Sequence, residues 1–107
     1  MRRGEIRWVA FPPGIGGEIR KRRPAVIVST DEANVHLNRI QVIPLTSNVS
    51  RVYGSETIVQ IGERTSKALA NQITTVAKET VGQRLGRVTE QEMRAIEQII
   101  RVQLGLR

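Results

Sequence analysis

Four consecutive cations, Arg20, Lys21, Arg22 and Arg23, stand between two segments of strand character. Pro12, Pro13, Gly14, Gly16 and Gly17 precede them, so residues 12–23 read as a loop with reach. Clustered cations on a loop suit phosphate binding, and the same run would serve as a solvated surface. Arg23 differs from its neighbours. It immediately precedes Pro24 and the β-branched run Ala25-Val26-Ile27-Val28-Ser29, which holds it on a stiff scaffold. A fixed guanidinium can stabilise charge developing on a phosphate bidentately.

Thr46-Ser47-Asn48 follows the apolar run Arg39 to Leu45. Hydroxyls and an amide at a strand end can hydrogen-bond a phosphate, and an ordinary turn favours the same residues. Asn71 and Gln72, with Thr74 and Thr75, carry groups able to read base edges, or simply form a polar strand face. His36 has a pKa suited to a general base, but its place in the turn-like stretch Asn34–Asn38 reads as surface. Gly14-Ile15-Gly16-Gly17 lacks the Gly-Lys-Ser/Thr ending of a phosphate-binding P-loop. The ten acids are dispersed, with no metal-ligand spacing. No metal and no cofactor is expected.

Composition narrows the field. The 107 residues suit one domain, 1–107. Seventeen Lys and Arg against ten Asp and Glu give a net charge of +7, which calls for an anionic partner. The absence of cysteine excludes disulfides, a thiol nucleophile and Cys-based metal sites. Only three aromatics, Trp8, Phe11 and Tyr53, argue against a base-stacking sheet of clustered rings. No apolar run approaches the ~18 residues of a membrane helix, and the N-terminus lacks the apolar core of a signal peptide. A cytoplasmic protein with no membrane partner is expected.

The elements that must position these residues are mostly strands. Glu5–Phe11 alternates with a period of two. Pro24 opens the run 25–29, continuous enough for a strand buried on both faces. Residues 30–34 suit a turn or short helix. Strands are expected at 39–45, at 55–61 with Val59 and Ile58 on opposite sides, at 67–70, and as a short extended piece at 73–76. Thr89 and Glu92 form a capping box before Met93, Ile96, Ile100 and Leu104, an amphipathic helix that Gly105 ends. Several strands with a terminal helix imply an α+β, mostly-β fold.

An ordered set of short motifs then resembles one family. The chain opens Arg3-Gly4-Glu5-Ile6-Arg7-Trp8 and continues with Gly16-Gly17-Glu18 and Arg23-Pro24-Ala25-Val26-Ile27-Val28-Ser29. Val42-Ile43-Pro44-Leu45-Thr46-Ser47-Asn48, Asn71-Gln72-Ile73 and Gly86-Arg87-Val88-Thr89 follow. In order and spacing, over residues 2–106, these resemble the MazF/PemK toxin endoribonucleases of bacterial type II toxin–antitoxin systems.

The resemblance implies an SH3-like curved β-sheet or partial barrel, MazF/CcdB-like, with a C-terminal α-helix. It implies a homodimer, a single-stranded mRNA substrate in a basic groove, and a cognate MazE-like antitoxin that blocks the groove. The implied reaction is sequence-specific, metal-independent cleavage. The 2′-hydroxyl attacks the adjacent phosphate, leaving 2′,3′-cyclic phosphate and 5′-hydroxyl ends, and translation and growth stop. Arg23 and Thr46 fall on the catalytic positions. Glu18 matches an RNA-contacting acid and Gln72 a base-reading residue. Arg20, Lys21, Ser47 and Asn48 complete the expected RNA-binding set. Thr74 stands where many relatives carry an arginine after Gln-Ile, which bears on cleavage motif and rate.

The chemistry is consistent with this composition. The nucleophile belongs to the substrate, so a chain without cysteine and with one histidine suffices if it aligns the 2′-oxygen and stabilises the phosphate. Two other functions fit parts of the sequence. CcdB-like gyrase poisons act through the end of the C-terminal helix, which here reads Leu104-Gly105-Leu106-Arg107 without tryptophan. A non-catalytic nucleic-acid-binding module would also suit the charge.

Overall fold

The computed structural model describes residues 1–12 and 22–107. Its elements are β1 (Glu5–Ala10), β2 (Arg22–Ile27), α1 (Asp31–His36), β3 (Arg39–Thr46), β4 (Glu56–Ile61), β5 (Arg64–Leu69), β6 (Thr74–Ala77), β7 (Val81–Arg87) and α2 (Glu90–Leu104). The strands form one antiparallel sheet in the order β4-β5-β3-β2-β1-β7, and β6 also pairs with β3. This is the mostly-β curved sheet with a terminal helix that the sequence implied.

The run in β2 explains the two cores. Ala25 and Ile27 join Val9, Ile40, Val42 and Val76 on one face. Val26 and Val28 join Ile6, Ile43, Leu45, Ile96 and Ile99 on the other. β2 is therefore buried on both sides, as its unbroken apolar pattern requires. Helix α2 covers the second core with Ile96 and Ile99, while Phe11 and Val81 pack against the first. Each fully buried isoleucine contributes about 1.5–3 kcal/mol relative to an exposed one. Five of them (Ile6, Ile27, Ile40, Ile43 and Ile96) set the sheet's curl and the helix's seat.

Helix α2 has both expected ends. The Thr89 side chain accepts from Glu92 N at 3.0 Å, and Glu92 Oε1 accepts from Thr89 N at 2.8 Å. Gly105 ends the helix at φ 68°, a left-handed conformation that costs a residue without a Cβ little.

Several boundaries differ from the sequence reading. β2 begins at Arg22 rather than Pro24, because β1 continues pairing as far as Ala10–Arg22 while the β2–β3 ladder stops at Ala25–Pro44. Pro24 thus lies where β2 has a partner on one side only, and its missing N–H does little harm. Thr46 is the last residue of β3, not the first beyond it. β5 runs Arg64–Leu69, residues Ala70–Gln72 form a 3-10 turn, and the extended piece is Thr74–Ala77. β7 was not foreseen: Val81-Gly82-Gln83-Arg84-Leu85-Gly86-Arg87 has two glycines and little β-branching. It is a strand because β1 offers an edge, with register shifts at Ile6/Arg7 and Arg7/Val9.

Candidate active site

The two expected catalytic positions lie just beyond the end of the β2–β3 ladder, one on each strand. Arg23 pairs with Val9 across β1–β2. The β2–β3 register runs Ile27–Val42, Val26–Ile43 and Ala25–Pro44. The ladder stops there, and the same register continued two residues further would bring Arg23 level with Thr46. Neighbouring strands lie about 5 Å apart, and residues facing one another across them share a face of the sheet. Arg23 and Thr46 are both half-buried, on the face that carries Ala25, Ile27 and Val42 and lies opposite α2.

The row continues into β5. Thr46 pairs directly with Lys67, which in turn faces Ile58 of β4. Lys67 is only 8% exposed. Its ammonium donates to Glu56 Oε1 at 2.8 Å and to the Arg51 carbonyl at 2.6 Å. The same Glu56 oxygen accepts from Tyr53 N at 3.0 Å. The Lys67 hydrogen bond and the Tyr53 N–H hold the Glu56 carboxyl below its ordinary value against the opposing effect of burial. Lys67 was missed in the sequence. Its signal was a lone lysine within Ser66-Lys67-Ala68-Leu69-Ala70, a stretch otherwise small or apolar.

Thr46-Ser47-Asn48 proves to be a strand end and a turn together. Thr46 Oγ1 accepts from Asn48 N at 3.3 Å, and Asn48 Oδ1 accepts from Ser50 N at 3.3 Å and Ser50 Oγ at 2.9 Å. Ser47 and Asn48 are exposed beside the row.

The remaining candidates separate. Gln72 is exposed in the 3-10 turn, between β5, which leaves β3 at Leu45, and β6, which joins it at Val42. It therefore sits level with Ile43–Pro44, displaced along β3 from Thr46. Thr74 and Thr75 are exposed on β6, where Gln41 Nε2 donates to Thr75 Oγ1 at 3.0 Å. Arg22 alternates to the opposite side from Arg23 and lies over the Trp8 ring, 5.4 Å from its centroid. His36 ends α1 before the start of β3, and Thr46 ends that strand. The strand's length, roughly 25 Å, separates them. Glu18, Arg20 and Lys21 lie outside the described residues.

A second charged cluster supports β1. Glu5 is buried and accepts from Arg2 N and Arg7 Nε, both at 3.0 Å, with Arg84 Nε 3.7 Å from its other oxygen. Burial pushes its carboxyl up, but the Arg2 N–H and the Arg7 guanidinium bring it below the ordinary value. Arg7 also donates to the Gly82 carbonyl at 3.0 Å, tying β1 to the irregular β7. Among the described residues, no group of three or more His, Cys, Asp or Glu is placed to hold a metal ion, and no helix is long and apolar enough to cross a membrane.

A half-buried guanidinium and a hydroxyl in one row, with a buried ammonium beside them, suit an anionic reacting centre. The chain is similar to known proteins over almost its whole length. Residues 2–104 match the family described as PemK-like, MazF-like toxins of type II toxin–antitoxin systems. The endoribonuclease MazF9 of Mycobacterium tuberculosis is 36% identical over 115 aligned positions, spanning 99% of this chain and 98% of its own. The endoribonuclease toxin MazF of Escherichia coli K12 is 32% identical over 103 positions, spanning 95% of this chain and 92% of its own. A mycobacterial endoribonuclease solved in complex with its cognate antitoxin superposes with a TM-score of 0.83 at 25% identity, over 100% of this chain and 97% of that one.

Proposed function

This chain belongs to the family of PemK-like and MazF-like toxins of type II toxin–antitoxin systems, and from that premise we propose how it acts. It is a toxin endoribonuclease that cuts single-stranded mRNA in the cytoplasm, with Arg23 and Thr46 at the scissile phosphate. The observation that supports this reading is the β2–β3 register, whose continuation past Ala25–Pro44 aligns Arg23 with Thr46.

The reaction needs no nucleophile from the protein. The 2′-oxygen of the substrate attacks the adjacent phosphorus, the bond to the 5′-oxygen breaks, and 2′,3′-cyclic phosphate and 5′-hydroxyl ends result. The protein supplies alignment and charge. Arg23 clamps the non-bridging oxygens, whose charge grows in the transition state. A guanidinium presents paired donors in a fixed fork, stays charged and is a poor base, so its role is electrostatic. The Thr46 hydroxyl orients the phosphate. Ser47 and Asn48 bind the flanking backbone. Gln72, further along β3, reads a base one or more nucleotides from the cut. Glu18, Arg20 and Lys21 contribute from the segment preceding β2.

The working form is a homodimer with the RNA groove at the interface. A MazE-like antitoxin occupies that groove. The antitoxin complex of the mycobacterial relative supports this partner.

The test is cleavage of a long mixed-sequence RNA in EDTA, wild type beside Arg23→Ala. Discrete fragments with cyclic phosphate ends from the wild type alone are expected. A single 2′-deoxy substitution at the mapped cut should abolish cleavage there. Cleavage that survives the 2′-deoxy substitution would refute the mechanism, and none from a folded wild type would refute the activity.

A further inference from the structure

We propose that Tyr53 is a stacking platform for a nucleobase beside the scissile phosphate, and that Lys67 is the positioning residue that holds it there. The inference rests on the ribonuclease reading above and adds to it a base seat of its own.

Tyr53 lies in the segment between β3 and β4 and is 57% exposed. Burial of the ring therefore does not explain its place. The segment is nevertheless fixed. Lys67 Nζ is 5.7 Å from the ring centroid, and its two hydrogen bonds go to the Arg51 carbonyl and Glu56, one on each side of Tyr53 in sequence. Tyr53 N donates to that same Glu56 oxygen, and Glu56 N donates back to the Tyr53 carbonyl, both at 3.0 Å. A nearly buried ion pair thus anchors the residue on both sides of an exposed ring.

The anchor is also the neighbour of Thr46. Because Lys67 and Thr46 are a direct cross-strand pair, the ring sits next to the row that receives the phosphate. Lys67 is almost inaccessible, while the ring beside it is more than half exposed. Arg51 also lies over the ring, its guanidinium carbon 5.7 Å from the centroid and Nη1 donating to Oη at 3.2 Å, and its exposed side chain is free to move aside for a base. An exposed aromatic on an anchored segment, flanked by two cations and adjacent to a phosphate site, fits a base stacked on the ring. Such a seat has little sequence preference by itself, because every base has a π-face. It fixes the angle at which the strand crosses Thr46.

The experiment uses an oligonucleotide around a mapped cleavage site, intact or carrying one abasic residue at each position flanking the cut. Wild type, Tyr53→Leu, Tyr53→Phe, Lys67→Met and Lys67→Arg are compared by KM and kcat. For the wild type, one abasic position raises KM about tenfold, the size of one lost base–aromatic stack. Tyr53→Leu raises KM on the intact substrate by a similar factor and erases the penalty at that one position. Tyr53→Phe, which keeps the ring, keeps the penalty. Lys67→Met, similar in length but uncharged, blunts it, and Lys67→Arg restores part of it. If Tyr53→Leu loses the same factor on every abasic substrate as on the intact one, the seat does not exist. If Lys67→Met retains the full penalty, Lys67 does not position the ring. Should Lys67→Met fail to fold, the Tyr53 pair, altered only at an exposed side chain, still decides for or against the seat. A wild type that cuts no RNA overturns the ribonuclease reading and this inference with it.

Discussion

Lys67 stands directly opposite Thr46, β5 against β3, with its ammonium 2.8 Å from the Glu56 carboxylate. Both side chains of that ion pair are about nine-tenths buried. Removing one partner of such a pair is costly because it leaves the other charge buried alone. The loop from Ser47 to Ser55 therefore depends on a charge pair seated beside the candidate catalytic hydroxyl, so local stability and site geometry are linked through Lys67.

Acid should weaken this clamp. The Glu56 carboxyl is held below its ordinary value by the Lys67 hydrogen bond and the Tyr53 N–H, against burial, and Glu5 is shifted in the same direction. A carboxyl with a depressed folded-state pKa adds stability above its unfolded value and loses it as pH falls through the folded one. Unfolding stability should therefore be level from neutral pH down to about 5 and fall below about 4.5. Glu56→Gln should flatten part of that fall, and the rest should remain through Glu5. Lys67→Met at neutral pH should cost about 2–4 kcal/mol. Urea melts at a series of pH values check all three. An acid limb unchanged in Glu56→Gln would show that the pair adds nothing to the linkage.

Arg23 is assigned the electrostatic part of the proposed mechanism. Arg23→Ala should lower the single-turnover cleavage rate by about 10²–10³-fold, the range seen when one preorganised donor is removed. Arg23→Lys keeps the charge and loses the bidentate fork, so it should recover only a small part. The melting temperature should change little, because the side chain is half-exposed at a strand end. Full activity in Arg23→Lys would show that charge alone suffices.

Much of this was legible from residue order, and the reasons are physical. The terminal helix was readable at both ends, because capping-box residues and a left-handed glycine act locally. Burial of β2 on both faces followed from an unbroken β-branched run. The start of β2 at Arg22 did not, because it depends on how far β1 pairs. β7 was hidden for the same reason: its glycines and arginines argue against a strand, and only the β1 edge makes it one. Arg23 and Thr46 were visible singly. Their juxtaposition is a property of register, which no local pattern encodes. Lys67 escaped because a lysine on a strand ordinarily reads as solvent-facing.

The helix cap offers a test of how α2 is joined to the sheet. Glu92 closes the capping box through Oε1, and its Oε2 accepts from Gln60 N of β4 at 2.8 Å. Thr89→Ala should cost about 1 kcal/mol, as for an ordinary cap. Glu92→Ala should cost more, because it orphans a β4 backbone donor as well as the Thr89 N–H. Glu92→Gln, which keeps acceptor capacity, should lie between wild type and Glu92→Ala. Thermal melts of the three variants decide this. Equal losses for Thr89→Ala and Glu92→Ala would mean that the bridge to Gln60 contributes nothing.

Thr46 is where turn geometry and chemistry meet, and two substitutions separate them. Its Oγ1 accepts from Asn48 N, so the lone pair shapes the turn while the hydroxyl hydrogen remains to donate to a phosphate oxygen. Thr46→Ser retains both capacities and should retain most of the cleavage rate. Thr46→Val keeps the branched shape that suits the strand end but removes acceptor and donor together, and should lose about tenfold or more in rate. A loss caused by the turn alone would be shared by Asn48→Ala, which removes the acceptor for Ser50 N and Oγ and leaves the Thr46 hydroxyl in place. The expected order is therefore Thr46→Val slowest, Asn48→Ala intermediate through weaker RNA binding, and Thr46→Ser nearest the wild type. Rates measured at saturating RNA remove the binding contribution and should leave only Thr46→Val impaired. If Asn48→Ala is as slow as Thr46→Val at saturation, the hydroxyl acts by shaping the turn and not by touching the phosphate.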